Sequence, residues 1–129
     1  MDTLLARLHA TITRLRGPGG CPWDCRQTPQ SMKKYLLEET KELAEAIEEG
    51  DADHVREELG DLFFILTMLA VLYEERGDFT LGDSLQDIQA KMVRRHPHVF
   101  GDAPTPTIEE QRRLWEAIKA DEKDPSPAP

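Results

Sequence analysis

Apolar residues along the chain return every three to four positions, the period of helices with one buried side. Leu5, Leu8, Ile12 and Leu15 share a face and predict a first helix over about residues 3–15, which RGPGGCPWD then breaks. Thr28 followed by Pro29 offers a capping hydroxyl and a proline at the first helical position, so a second helix is expected from there to about Glu49, stopped by Gly50. After the GDAD link a third helix is expected over about residues 53–76, with Gly77 past its end. A fourth starts at Thr80, with Asp83 near its N-terminal dipole, and turns Leu81, Leu85, Ile88 and Met92 inward before Pro97 ends it. Thr107 and Glu110 form a capping box for a short last helix carrying Leu114, Trp115 and Ile118.

No useful length of sequence alternates with the period of a strand, so the predicted fold class is all-α. Short links make the second, third and fourth helices antiparallel neighbours, which gives an antiparallel bundle of about four main helices plus a short C-terminal one. From Phe63 to Leu72 the third helix is apolar nearly all round. Such a helix is central in a bundle or shared with another subunit, and in a chain of 129 residues a homo-oligomer, dimer or tetramer, is the favoured reading. Residues 1–122 are assigned to one domain and residues 123–129 to a disordered tail.

Charge narrows the partners. Asp and Glu outnumber Lys and Arg by 25 to 16, a net charge of −9, which disfavours a broad footprint for nucleic acid. The longest apolar run, LFFILTMLAVLY, has 12 residues, short of the ~20 needed to span a bilayer. The start MDTLLARLHATITRL lacks the pattern of a signal peptide, so no membrane partner is expected and a cytoplasmic location is. Cys21 and Cys25 have no further Cys or Cys/His cluster to complete a zinc set, and a reduced pair in a turn is the simpler reading.

The apolar stripe of the second helix contains an anomaly. In LLEETKELAEAI, Glu39 falls near the centre of the arc shared by Met32, Tyr35, Leu36, Leu43, Ala46 and Ile47, and Glu42 falls on its margin. The pattern EExx[E/D]L recurs 19 residues later, in LEETKEL and REELGDL. Glu39 with Glu42, and Glu58 with Asp61, are each three apart on a helix and so on neighbouring turns. Antiparallel packing brings the two pairs face to face, where buried carboxylates would repel one another unless a cation joined them. Mg²⁺, with Mn²⁺ as a substitute, prefers such oxygen ligands and keeps positions open for phosphate. Glu45, Glu48, Glu49, Glu74 and Glu75 read instead as a solvated face, and His9 and His54 as surface residues.

EETKE at Glu38 to Glu42 and ELGD at Glu58 to Asp61 resemble the EExxE and ExxD signature of the MazG family of nucleoside triphosphate pyrophosphohydrolases. CPWD, QT, YLLEE, REELGDL, RRHPHVFGD and WEAIKADE follow the same resemblance in order over roughly residues 4–122. It implies an all-α oligomer that uses Mg²⁺ to hydrolyse a nucleoside triphosphate to the monophosphate and pyrophosphate. Glu39, Glu42, Glu58 and Asp61 are then the metal ligands, and Glu38 is the candidate general base.

Lys91, Arg94 and Arg95 at the end of the fourth helix, with Trp115 and Lys119 on the last, match basic and aromatic residues that contact nucleotide in related proteins. The competing reading is that these cations offset a helix dipole and that Trp115 anchors the tail. Trp23 is a further candidate for the base pocket, against a packing role in its loop. His96 and His98 flank Pro97 and suit loop fixing better than catalysis. Cys25 departs from the family, where a charged residue is common. MazG proteins often carry two such domains, and this chain resembles the N-terminal one. Two alternatives follow: a catalytically weak nucleotide-binding or assembly module of the same fold, or a pyrophosphohydrolase acting on dUTP, dCTP or phosphoribosyl-ATP.

Overall fold

A computed structural model describes residues 2–123, and within them the chain forms seven helices and no strand. They are α1 (Asp2–Leu15), α2 (Pro22–Arg26), α3 (Pro29–Glu49), α4 (Ala52–Glu75), α5 (Leu81–Arg94), α6 (Pro97–Phe100) and α7 (Ile108–Lys123). The all-α expectation holds over these residues. The chain divides into two compact units, residues 1–82 and 83–129. The tail expected at 123–129 otherwise lies outside the described residues, since Lys123 is the last residue of α7.

In the first unit, local chemistry sets the helix ends. Thr28 caps α3 by accepting from the Ser31 N–H at 3.1 Å, while the Ser31 hydroxyl accepts from the Thr28 N–H at 2.9 Å. Gly50 closes α3 at φ +75°, in the left-handed region that side chains avoid. Asp51 then caps α4, its carboxylate accepting from the N–H groups of Asp53 and His54 at 3.1 and 3.3 Å. With only Gly50 and Asp51 between them, α4 folds back along α3, and α1 packs on α4.

The core forms where the three helices meet. Ile12 from α1, Met32 from α3 and Met68 from α4 are fully buried, each contributing roughly 1.5–3 kcal/mol relative to exposure. Ile65, Val71 and Leu72 complete the cluster, with Leu8, Tyr35, Leu36, Phe64 and Leu69 packed around it.

RGPGGCPWD is more than a break, because α2 forms inside it with Pro22 at its first turn. Gly20 is needed there, since a Cβ would collide with the Leu15 carbonyl. Arg16 holds this segment to α4. Its guanidinium donates to the carbonyls of Asp24 and Gln27 and forms a bidentate pair with Glu75, both bonds 2.7 Å. Glu74 is likewise tied, accepting from the Leu81 N–H at 2.9 Å and lying 2.7 Å from His9 Nε2. Glu74 and Glu75 are therefore cross-links between segments and not members of a solvated face.

Two further expectations are corrected. Leu85, Ile88 and Met92 of α5 are exposed, because amphipathic spacing marks an apolar face without supplying anything to cover it. Within α4, Leu59, Phe63 and Leu66 are open to solvent, at 44%, 48% and 47% exposure, a second side of the apolar segment that the single chain leaves uncovered. The last helix is 16 residues long and not short. Its start is as expected, with the Thr107 hydroxyl accepting from the Glu110 N–H at 3.2 Å and bonding the Glu110 carboxylate at 3.0 Å.

Candidate metal and phosphate sites

The seam between α3 and α4 gathers carboxylates. Glu39, Glu58 and Asp61 each bring an oxygen within 4.8 Å of the other two. Glu58 is 7% exposed, and its Oε2 and that of Glu39 are buried without a hydrogen-bond partner. Burial, then a side-chain hydrogen bond with Glu58, then the charges of Glu42 and Asp61 push the Glu39 carboxyl up to about 7. Polar oxygens left bare in a protein interior are costly, and here they point to a ligand. Three anionic oxygen donors fit a hard divalent cation and suit a soft or nitrogen-seeking metal poorly.

Glu42 is exposed and lies outside that close set, acting on it through its charge. Glu38 is exposed on the adjacent position of α3. The sequence missed His54, which is not a bystander at the surface. Its Nε2 lies 3.2 Å from Glu58 Oε1 and its Nδ1 lies 3.1 Å from Glu49 Oε2. These two carboxylates, Glu49 first, raise its affinity for a proton above that of a free histidine. The available signal was spacing, since His54 stands four residues before Glu58 on the same helix.

The second unit carries the basic residues singled out in the sequence. Lys91, Arg94, Arg95, Lys119 and Lys123 line a cleft of about 650 Å³. Its one carboxylate, Glu122, accepts from Arg94 Nε and Arg95 NH2, both at 2.8 Å. Arg95 and Arg94 together hold the Glu122 carboxyl below the usual range. Arg95 Nε is buried and has no partner. Trp115 donates its Nε1–H to the Arg95 carbonyl at 2.8 Å and meets the His96 ring edge-on at 5.2 Å. It is thus anchored to the segment that carries the arginines. His96 fixes the end of α5 through a 2.6 Å contact between its Nδ1 and the Met92 carbonyl.

Trp23 is exposed and packs edge-on against Tyr35 at 5.4 Å. With Arg26, Gln30, Lys34 and Tyr35 it borders another cleft, of about 680 Å³, in the first unit. Cys21 and Cys25 are both free thiols. No helix among the described residues is long and apolar enough to cross a membrane.

Comparison with known proteins joins these observations. The chain is similar to the protein YabN of Bacillus subtilis, with 50% identity over 118 residues, covering 92% of this chain and 24% of that one. It is 45% identical over 120 residues to the nucleoside triphosphate pyrophosphohydrolase/pyrophosphatase MazG of Thermotoga maritima, covering 93% of this chain and 46% of that protein. Against the nucleoside triphosphate pyrophosphohydrolase of Escherichia coli K12 the identity is 43% over 118 residues, 91% of this chain and 45% of that one. The chain therefore spans less than half the length of these relatives. In structure it resembles a mazG-related protein from Thermotoga maritima, with a TM-score of 0.73 and 26% identity over 89% of this chain and 98% of that one. The model of the MazG nucleotide pyrophosphohydrolase domain matches residues 27–100, which include all the acids of the α3–α4 seam, and the chain belongs to that family.

Proposed function

We propose that the protein hydrolyses nucleoside triphosphates to the monophosphate and pyrophosphate in a Mg²⁺-dependent reaction, with Mn²⁺ as a substitute ion. The observation that carries this reading is the pair of bare, buried oxygens on Glu39 and Glu58, beside Asp61, in a member of a nucleotide pyrophosphohydrolase family. Glu39, Glu58 and Asp61 would hold the ion, with Glu42 joining from the margin of the seam. When bound, the ion neutralises phosphate charge and acidifies water.

The chain's own residues do the rest. Glu38, exposed beside Glu39, is the proposed acceptor of a proton from the attacking water. The anion cleft of the second unit suits phosphate oxygens, and Lys91, Arg94, Arg95 and Lys119 are the proposed contacts there. Phosphoryl chemistry of this kind depends mainly on positioning and charge compensation, which such groups provide. Trp115 and Trp23 are the proposed aromatic contacts for a base. Two copies or more of the chain, in the cytoplasm, would clean or control the nucleotide pool.

Release of pyrophosphate from ribo-, deoxyribo- and oxidised nucleoside triphosphates, with and without Mg²⁺, tests the proposal. Turnover that needs Mg²⁺ supports it. Nucleotide binding with no turnover on any of them overturns the enzymatic reading in favour of a binding or assembly module. That alternative draws on one feature, the engagement of both arginines by Glu122. Turnover confined to dUTP or dCTP, or to phosphoribosyl-ATP, would narrow the substrate instead.

A further inference from the structure

Glu58 is the most enclosed acid of the seam, and its two oxygens have different surroundings. Oε2 is buried and bare, while Oε1 lies 3.2 Å from His54 Nε2. An ionised carboxylate only accepts, so toward ionised Glu58 the imidazole is the donor. On its far side the same ring meets Glu49 Oε2 at 3.1 Å through Nδ1. His54 also sits in the first turn of α4, where its backbone N–H is held by the Asp51 cap at 3.3 Å. The ring is therefore held at both nitrogens, by Glu49 at the C-terminal end of α3 and by Glu58, on a backbone that the Asp51 cap fixes.

We propose that His54 is a positioning residue for metal binding: it donates to Glu58 Oε1, fixes the carboxylate rotamer, and so aims Oε2 at the ion, with Glu49 orienting the ring from outside. This rests on the proposed divalent-cation site. An imidazole one turn from Glu58 on the same helix face has the reach for this, and a ligand's hydrogen-bonded neighbours commonly set its orientation. A buried carboxylate without the donor would rotate toward whatever partner it could find, Glu39 included, and the oxygen set would lose its convergence.

Electrostatics alone makes the opposite prediction. Removing a positively charged ring beside a cation site should tighten cation binding. The sign of the effect therefore separates positioning from simple charge.

The test is Mn²⁺ titration of the nucleotide-free protein, read from the paramagnetic resonance of the free ion and from calorimetry, with circular dichroism to check that the helices persist. His54→Ala should weaken Mn²⁺ binding roughly 10- to 100-fold, the range seen when such outer partners are removed. His54→Gln, which keeps an N–H donor, should recover much of that loss, and Glu49→Ala should give a smaller loss. Unchanged or tighter binding in His54→Ala overturns the proposal, as does a His54→Gln variant no better than His54→Ala. Wild-type protein that binds no Mn²⁺ overturns the metal reading itself, and this one with it.

Discussion

Glu39 and Glu58 bring carboxylate oxygens within 4.8 Å of each other across the α3–α4 seam, and each leaves its Oε2 buried without a partner. Two acids so placed weaken the ion-free protein by repulsion and desolvation. Glu39→Gln should relieve part of that, raising the stability of the ion-free protein by about 1 kcal/mol, or roughly 3–6 °C in Tm. Mg²⁺ should raise the Tm of the wild type and have little effect on the variant, because only a bound ion stabilises the folded state by mass action. Pyrophosphate release should fall roughly 10²–10⁴-fold, the loss of several kcal/mol of charge stabilisation. Calorimetric scans with Mg²⁺ and with a chelator, beside a turnover assay, check all three. A variant of ordinary activity would remove Glu39 from the site.

The Arg16–Glu75 pair predicts an acid-sensitive component of stability. The guanidinium holds the Glu75 carboxyl below its ordinary value, chiefly through their hydrogen bonds. A depressed carboxyl stabilises the fold at pH above its unfolded value, about 4.3, and the contribution disappears as pH falls through the lower folded value. Glu75→Gln should therefore cost about 0.5–1 kcal/mol at pH 7, a modest figure because the carboxylate is half exposed, and progressively less as pH falls below about 4.3 toward and through the lower folded value. Arg16→Ala should cost more, about 2 kcal/mol, since it also strips the donor from the Asp24 and Gln27 carbonyls. Urea titrations of the three proteins between pH 3 and pH 7 measure the differences. A gap between wild type and Glu75→Gln that widened toward acid would contradict the assignment.

Glu122 occupies the arginines proposed to meet phosphate. A triphosphate arriving at this cleft must displace that carboxylate or share the guanidinium donors with it. Glu122→Gln should therefore tighten binding of inorganic tripolyphosphate roughly two- to tenfold, with the gain shrinking at high salt. Calorimetry in the absence of divalent ion reads this without reference to catalysis. Weaker binding would mean that Glu122 organises the arginines and does not compete for them.

Local chemistry was legible in the sequence, and contacts between distant residues were not. Thr28, Pro29 and Gly50 mark the ends of α3 because a cap, a proline and a left-handed glycine act within one turn. Glu39 and Glu58 stood out because apolar periodicity makes a misplaced carboxylate visible, and both proved to lie on the α3–α4 seam. Glu42 had the same i,i+3 spacing argument as Asp61 and yet sits outside the close set that Asp61 joins, so spacing alone did not decide which acids meet. Glu122 could not have been found this way. Its partners Arg94 and Arg95 lie 28 and 27 residues away, and nothing in a charge pattern says which acid meets which base. His54 lay between these cases, with a spacing that allowed contact and a single ring that gave no reason to expect it. The exposed stripe of α5 shows the other limit, that amphipathicity identifies a face without identifying what packs on it.

Leu59, Phe63 and Leu66 follow one another at spacings of four and three along α4 and remain exposed, although the helix that carries them is the centre of the first unit. An apolar stripe of that kind on a protein interior's principal helix is costly in water and suits a contact between copies of the chain. The stripe runs from Leu59 to Leu66 along the helix that also carries Glu58 and Asp61, on a different side of it from Asp61. Phe63→Glu should break such a contact by burying a charge without a partner, shifting the mass from dimer or tetramer toward monomer while leaving the helical circular dichroism in place. Light scattering on the eluting peak gives the mass directly. If the wild type already runs as a monomer across micromolar concentrations, the oligomer is excluded and the stripe needs another explanation. If Phe63→Glu dissociates the protein and also loses Mn²⁺ affinity, the contact between copies supports the carboxylate seam as well as the assembly.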